Sequence, residues 1–268
     1  MPASSVSLEE YAEAFTAGFR GYSVPLTLDA PRLSRKIRLE QCDLQHSLIA
    51  YEGGERAGVA VLAIRGSAGW CGGFGVVPER RGRGVGRLLM EELLKSARAA
   101  GVRRLTLEVL ADNTAARRLY EGAGMRVVRN LFVLERDAES VALEGGALEE
   151  AETAELLTHF ARLHTIAPAW QRDLPTMLAG HSRGLRLGPR ERPRAYALLS
   201  EPGDGKTYVT DLAAADAESA RELSSGLARV EGAFGVINEP EQSLFVAPLV
   251  GHGFAVAHRQ YEMEIELP

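Results

Sequence analysis

The residues with the clearest chemistry form a loop, Pro78-Glu79-Arg80-Arg81-Gly82-Arg83-Gly84-Val85-Gly86-Arg87. Glycines at 82, 84 and 86 let successive backbone N–H groups reach an anion without a Cβ in the way. The apolar, β-prone run Phe74-Gly75-Val76-Val77 precedes the loop. Residues 88–97 after it have the Leu/Ala periodicity of an amphipathic helix that Gly101 can end. A helix start offers unpaired N–H groups and a positive dipole end. Arg80, Arg81, Arg83 and Arg87 crowd that same end, where cations are disfavoured, so the pattern asks for a compensating anion. A pyrophosphate-bearing ligand meets that need; a glycine-rich turn with a solvated basic face is the plainer reading of the loop by itself.

A second block follows. Leu105-Thr106-Leu107-Glu108-Val109 reads as a strand, and Asn113-x-x-Ala116-x-x-Leu119-Tyr120-Glu121-x-x-Gly124-Met125 as the helix after it. Asn113, Ala116 and Tyr120 share one face of that helix. Taken with Arg81-x-x-Gly84-x-Gly86, the two blocks resemble the GCN5-related N-acetyltransferase (GNAT) family. The resemblance implies an α+β (α/β/α) fold with a mixed, mostly antiparallel central sheet and flanking helices. It also implies acetyl-CoA as cosubstrate, held by Phe74, Gly75, Val76, Val77, Arg81, Gly82, Arg83, Gly84, Val85, Gly86 and Arg87, with Asn113 and Tyr120. In the family the pantetheine arm pairs with the strand before the loop where that strand splays from its neighbour, a form of strand addition. Gly72, Gly73 and Gly75 suit a bulge or a close approach by another chain or a ligand there.

Acetyl transfer to an amine needs a deprotonated amine, a stabilised oxyanion and a protonated leaving thiolate. Residues matching Tyr120 act as the general acid in much of the family, and a phenol near pKa 10 can protonate a thiolate of pKa ~8.5. A packing tyrosine is the other reading. Glu108 is the base candidate, matching the proposed base of family members that acetylate protein N-termini; a structural or substrate-positioning carboxylate is the alternative. Asn113 either bonds the cofactor or orders the loop before its helix. The N–H near Val76 is a candidate oxyanion donor. Cys71 raises a covalent route, but an apolar, glycine-rich strand favours a buried, inert thiol. His159 and His164, five apart, sit on poorly matched helix faces for a metal, and no metal is expected.

The elements that must position these groups follow from the rest of the chain. Residues 8–20 have helical apolar spacing with Ser7 as N-cap, and a second helix is expected over 31–40. In the family this region flanks the acceptor site, so Phe19, Tyr22 and Pro25 either line it or staple two core helices. Residues 47–51 and 57–65 read as strands joined by Glu-Gly-Gly-Glu, 70–77 as the strand entering the loop, and 126–134 as a closing strand. Residues 137–146 lack periodicity and read as a linker. Aligning Gly124 with Gly253 sets Gly-Ala-Gly-Met-Arg-Val against Gly-His-Gly-Phe-Ala-Val, with strands expected near 206–211, 234–237 and 256–265. Gln242 then faces Asn113, Leu249 faces Tyr120, and no glycine–arginine loop follows Asp211. The expectation is a tandem fold: a catalytic acetyl-CoA-binding domain over 1–137, a linker over 138–145, and a degenerate GNAT-like domain without the cofactor loop over 146–268. An unrelated α+β second domain is the alternative.

The chain of 268 residues has a formal charge of −5. Residues 1–137 hold 20 Lys/Arg against 16 Asp/Glu, and residues 138–268 hold 11 against 20. The basic excess is small and lacks interleaved aromatics, so nucleic acid is not an expected partner. No segment approaches the ~20 apolar residues of a membrane span, no signal-peptide pattern opens the sequence, and Cys42 and Cys71 are too few for a disulfide framework. Cytoplasmic residence is expected. The function that follows is acetyl transfer from acetyl-CoA to a primary amine of a small molecule in a ternary complex. A peptide N-terminal or lysine acetyltransferase and a non-catalytic acetyl-CoA sensor are the alternatives. Oligomeric state has no signal in the sequence.

Overall fold

A computed structural model of the chain describes residues 1–22, 26–138, 148–203 and 205–268. Pro25 and most of the expected linker, from 139 onward, lie outside them. The chain divides into two compact units, Met1–Val128 with Tyr261–Pro268, and Arg129–Gln260. This boundary precedes the expected one after residue 137, and the last residues return to the first unit. The reason is burial within continuous strands. Leu131, Phe132 and Leu134 already belong to the second unit, the last two in its core, whereas Met263 and Leu267 belong to the first unit's core.

The elements run α1 (Leu8–Gly18), α2 (Ala30–Glu40), β1 (Leu48–Glu52), β2 (Glu55–Arg65), β3 (Ala68–Val76), α3 (Val85–Ala99), β4 (Arg104–Leu110), α4 (Thr114–Gly122) and β5 (Arg126–Arg136). Next come β6 (Glu149–Ala151), α5 (Thr153–Leu157), α6 (Phe160–Leu163), α7 (Leu174–Ala179), β7 (Arg183–Leu187), β8 (Ala195–Ser200), β9 (Lys206–Ala214), α8 (Ala217–Ala228), β10 (Ala233–Pro240), α9 (Val246–Gly251) and β11 (Ala255–Glu266).

In the first unit the strand order is β1-β2-β3-β4, followed by the C-terminal part of β11. β1/β2 and β2/β3 are antiparallel and β3/β4 parallel. Gly53 (φ 63°) and Gly54 (φ 84°) make the β1–β2 turn, which needs positive φ at both central residues. Ser7 caps α1 by accepting from the Glu10 N–H at 3.1 Å, and Asp29 caps α2. One face of the sheet carries the core: Leu89, Met90, Leu93 and Ala97 of α3 pack on Leu105, Leu107 and Val109 of β4 with Met263. Each such apolar side chain contributes roughly 1.5–3 kcal/mol by leaving water. Thr106 and Glu108 of β4 therefore face the other side.

In the second unit the order is β5-β10-β9-β8-β7-β6, all antiparallel except β9/β10. The succession of helices and strands from α7 to β11 repeats that from α2 to β5, as the Gly124/Gly253 alignment anticipates. No helix among the described residues is long and apolar enough to cross a membrane.

Candidate active site

β3 keeps its full pairing with β2, but its parallel pairing with β4 covers only Ala68–Arg104, Gly69–Leu105 and Trp70–Thr106. Beyond Trp70 the two strands part. The register with β2 slips between Val61 and Leu62, which face Gly73 and Cys71, so Gly72 is the bulged residue. The glycine-rich strand is also closely approached, by a helix of the same chain and not by the other chain or ligand that the sequence suggests. A Cβ on Gly75 would lie 2.8 Å from the carbonyl carbon and oxygen of Gly18, so α1 rests directly on β3. The Val77 N–H donates to the Ala57 carbonyl at 2.9 Å. Alternation then turns the Phe74 and Val76 N–H groups toward the side that β4 has left.

At the end of β3 the chain makes one tight turn, Pro78–Arg80, then two left-handed residues, Gly82 (φ 72°) and Gly84 (φ 86°). Gly84 is the N-cap of α3, without a capping side chain and with no acidic residue in the first turn. The first intrahelical bond runs from the Leu88 N–H to the Gly84 carbonyl at 3.1 Å. The N–H groups before it are the helix's orphan donors. α1, α2 and α4 of the same unit are capped by Ser7, Asp29 and Asn113.

Each arginine of the loop already has partners within the protein. Glu52 pairs with Arg80 at 2.6 Å and Arg83 at 3.5 Å, and Glu91 pairs with Arg87 at 2.9 Å. The Arg81 guanidinium donates to three carbonyls: Val76 (2.8 Å), Arg20 (2.8 Å) and Gly18 (3.4 Å). It ties the end of β3 to the exit of α1. Two carboxylates thus meet three of the four arginines and the fourth is held by neutral carbonyls, so the loop offers an anion its backbone N–H groups together with the positive charge that remains.

Tyr120 of α4 is buried, its ring 5.8 Å from and edge-on to Phe74. Burial, then Cys71 and Tyr22, hold its hydroxyl pKa well above the usual 10, so the phenol stays protonated. Cys71 is buried on the same side and donates to the Gly73 carbonyl at 3.6 Å, and burial pushes its thiol up to about 12. That is an inert thiol, not a nucleophile. Asn113 caps α4, its Oδ1 accepting from the Ala116 N–H at 3.1 Å, which favours the ordering role over a cofactor bond. Tyr22 reaches the same place, beside the Asn113 side chain and the Leu110 backbone, and burial raises its hydroxyl pKa. Phe15, Phe19 and Tyr22 form an aromatic run, with centroids 4.6 and 5.6 Å apart, from the core to this edge.

Glu108 lies on the opposite face of the sheet from Tyr120, and its Oε2 accepts from the Trp70 indole N–H at 2.7 Å. The Lys36 ammonium sits 5.0 Å from the centre of the Trp70 ring and is paired with Glu40. Sequence reasoning missed Trp70 and Lys36; the signal available was Trp70-x-Gly72 beside a glutamate-bearing strand. The splay thus lies between a phenol on one face and a carboxylate on the other.

In the second unit β9 and β10 pair over Lys206–Ala233 to Val209–Val236, and the β8/β9 register slips between Leu198 and Leu199. There the likeness ends. Asp216 caps α8 directly, accepting from the Ser219 N–H at 2.8 Å, and Glu218 lies in the first turn. The Ser219 N–H holds the Asp216 carboxyl below its ordinary range. Arg172, buried, pairs with Glu239 and lies 3.8 Å from Asp211. Asp211 also accepts from Tyr196 (2.8 Å) and contacts the His164 ring (3.1 Å), whose other nitrogen lies 3.0 Å from the Phe160 carbonyl. His164 is thus part of a buried polar network assembled from residues far apart in sequence. Among the described residues no group of three His, Cys, Asp or Glu is placed to hold a metal ion.

The family model described as "Acetyltransferase (GNAT) family" matches residues 8–125. Residues 8–125 are a GNAT domain. Solved structures extend the GNAT fold across both units. The GCN5-related N-acetyltransferase from Sphaerobacter thermophilus is 16% identical with TM-score 0.71, covering 97% of this chain and 92% of its own. A tandem GNAT protein from the clavulanic acid biosynthesis pathway is 14% identical with TM-score 0.66, covering 97% and 95%. At such identities the likeness is one of fold. A curated relative, the mycothiol acetyltransferase of Beutenbergia cavernae, is 46% identical over 55 residues. That match covers 20% of this chain and 18% of the relative, so the shared segment spans under a fifth of that protein's length.

Proposed function

We propose that the GNAT domain binds acetyl-CoA along the splayed edge of β3 and transfers the acetyl group directly to a primary amine of a small molecule. The observation that carries this reading is the broken β3/β4 pairing leading straight into the uncapped N-terminus of α3. The fit is one of backbone: N–H groups at Phe74 and Val76 suit amides of an extended arm, and those around Gly82, Gly84 and the first turn of α3 suit a pyrophosphate. Acetyl-CoA supplies an acetyl group activated as a thioester. Val76 then offers its N–H to the carbonyl oxygen as negative charge develops. Glu108 takes a proton from the acceptor ammonium, directly or through water, and passes it to solvent; after attack the nitrogen, now bonded to carbon, loses its second proton to solvent by the same route. Tyr120 gives its proton to the departing sulfur and is reprotonated from solvent. The C–N bond forms as the C–S bond breaks, with acid and base on opposite faces of the opening.

Burial makes this proton transfer reasonable. The environment that keeps Tyr120 protonated pushes the neighbouring Cys71 thiol to about 12, so a thiolate formed there is a far stronger base than in water. The name of the mycothiol acetyltransferase relative favours a small-molecule acceptor. In this reading the second unit does not hold acetyl-CoA, because Asp216 and Glu218 stand where the pyrophosphate would meet the helix. The test is CoA release from acetyl-CoA over a panel of polyamines, aminoglycosides, amino acids and short peptides, comparing wild type with Tyr120→Phe. Turnover on a small amine that falls about 10²–10⁴-fold in kcat in the variant supports the reading. Equal turnover by the variant removes Tyr120 as the acid. Absence of acetyl-CoA binding removes the whole proposal.

A further inference from the structure

Trp70 is held in an unusual seat. A Cβ on Gly72 would collide with the six-membered ring of the Trp70 indole, so only glycine at the bulge lets the ring lie back along β3. The ring is almost fully buried, with the Lys36 ammonium 5.0 Å from its centre. Pinned in this way, the indole has one polar atom, and it points at the Glu108 carboxylate at 2.7 Å. A cation over the π face draws electron density from the ring and makes the N–H a better donor. Burial penalises the Lys36 ammonium, but Glu40, with Glu108 contributing, outweighs that penalty and raises the lysine's pKa.

We propose that Trp70, seated on Gly72 and covered by Lys36, is the positioning residue that fixes the Glu108 carboxylate for proton removal from the acceptor amine. This rests on the reading of Glu108 as the base. Among the described residues, Lys36 of α2 and Cys71 of β3 interact electrostatically with that carboxylate, Glu40 is paired with Lys36, and Glu262 and Glu264 belong to β11. The last two share its face of the sheet, because Tyr261, Met263 and Ile265 face the α3 core.

The experiment is a double-mutant cycle on the full chain, using an amine that wild type acetylates. Trp70→Phe should lower kcat about 10–100-fold, the range for a hydrogen bond to a charged group. The Kd for acetyl-CoA should stay within about twofold, and the acid limb of the pH–rate profile should move to higher pH, because a carboxylate that loses a donor holds its proton more tightly. In a Glu108→Gln background the same change should have little further effect on kcat. Benzothienylalanine at position 70, which keeps the ring shape and lacks the N–H, should reproduce Trp70→Phe and guards against a folding defect. If Glu108→Gln is slow but both Trp70 variants match wild type, the positioning role is wrong and the base reading stands. The positioning role is also wrong if Trp70→Phe costs as much in the Glu108→Gln background as it does in wild type. If Glu108→Gln itself turns over normally, the base reading fails and takes this inference with it.

Discussion

Replacing Gly84 with alanine isolates the backbone of the phosphate loop from everything else near it. Gly84 has φ 86° and caps α3, and a Cβ built there meets nothing within 4 Å. The cost is therefore conformational and not steric: an L-residue forced into the left-handed region loses roughly 1–2 kcal/mol. Two residues on, Gly86 lies inside the first turn of α3, outside the positive-φ set. Its Cβ would meet Leu119 Cδ2 at 3.4 Å and Val76 Cγ2 at 3.6 Å, which is ordinary contact. Gly86→Ala should thus leave stability unchanged or raise it by about 0.5–1 kcal/mol through the unfolded state. The two alanines should separate by roughly 1–3 kcal/mol. Urea unfolding followed by Trp70 fluorescence in a Trp170→Phe background reads the first unit. Calorimetric titration with acetyl-CoA should show weakened binding for Gly84→Ala and nearly unchanged binding for Gly86→Ala, whose Cβ points into the protein. Gly84→Asn, which tolerates left-handed backbone, should recover most of the lost stability. Equal effects at the two glycines, or no loss at Gly84, would refute the assignment of the cradle to left-handed backbone at 82 and 84.

Arg81→Lys should behave like Arg81→Ala, each costing about 1 kcal/mol of stability and weakening acetyl-CoA binding, because three carbonyls need the planar fork and not the charge. If Lys restores binding that Ala loses, the charge matters after all. Alkaline stability carries a separate signature, since burial raises both Cys42 and Cys71 from 9.0 to about 12. Between those limits the unfolded thiols ionise while the folded ones keep their protons, so stability falls with pH by up to ~1.4 kcal/mol per unit for each cysteine. Chemical unfolding at pH 8, 9 and 10 should give a shallower decline in Cys71→Ala than in wild type; identical slopes would refute the burial of that thiol's charge.

The sequence carried the local devices well and the pairwise ones badly. Gly53-Gly54, Ser7 before Leu8 and Gly101 after α3 each act through a few neighbouring residues, and each sits where spacing predicts. Gly72 and Gly75 announced a bulge and a close approach, but not that one would seat Trp70 and the other Gly18. The partners of the arginines were not legible, because Glu52 lies more than twenty residues upstream of the loop and nothing local ties it to Arg80 and Arg83. The boundary near 137 failed for a related reason. β5 reads as one alternating strand, and periodicity does not record that its Phe132 and Leu134 bury into a different core from Met125 before it.

The two units make a natural comparison of what a fold supplies and what a site requires. Both have a bulged strand, a short parallel pairing that ends early, and a helix that begins where the bulged strand ends. Those features come from packing and survive in the second unit without any glycine loop. What differs is the chemistry at one helix end and in one opening. α3 begins at a bare left-handed glycine, whereas α8 begins at an aspartate whose carboxylate already occupies the Ser219 N–H. The neighbouring strand of the second unit carries Asp211 where the first has Gly73, and Arg172, Tyr196 and His164 close around it. The Asp216 carboxylate takes up the N–H that an anion would need and adds its own negative charge to a helix end whose dipole would otherwise favour one. Removing it alone would not recreate a site, because no left-handed glycines follow β9 to turn the backbone N–H groups outward. In the proposed reading, catalysis therefore rests on about ten loop residues and the side chains facing one opening, on a scaffold that the chain possesses twice.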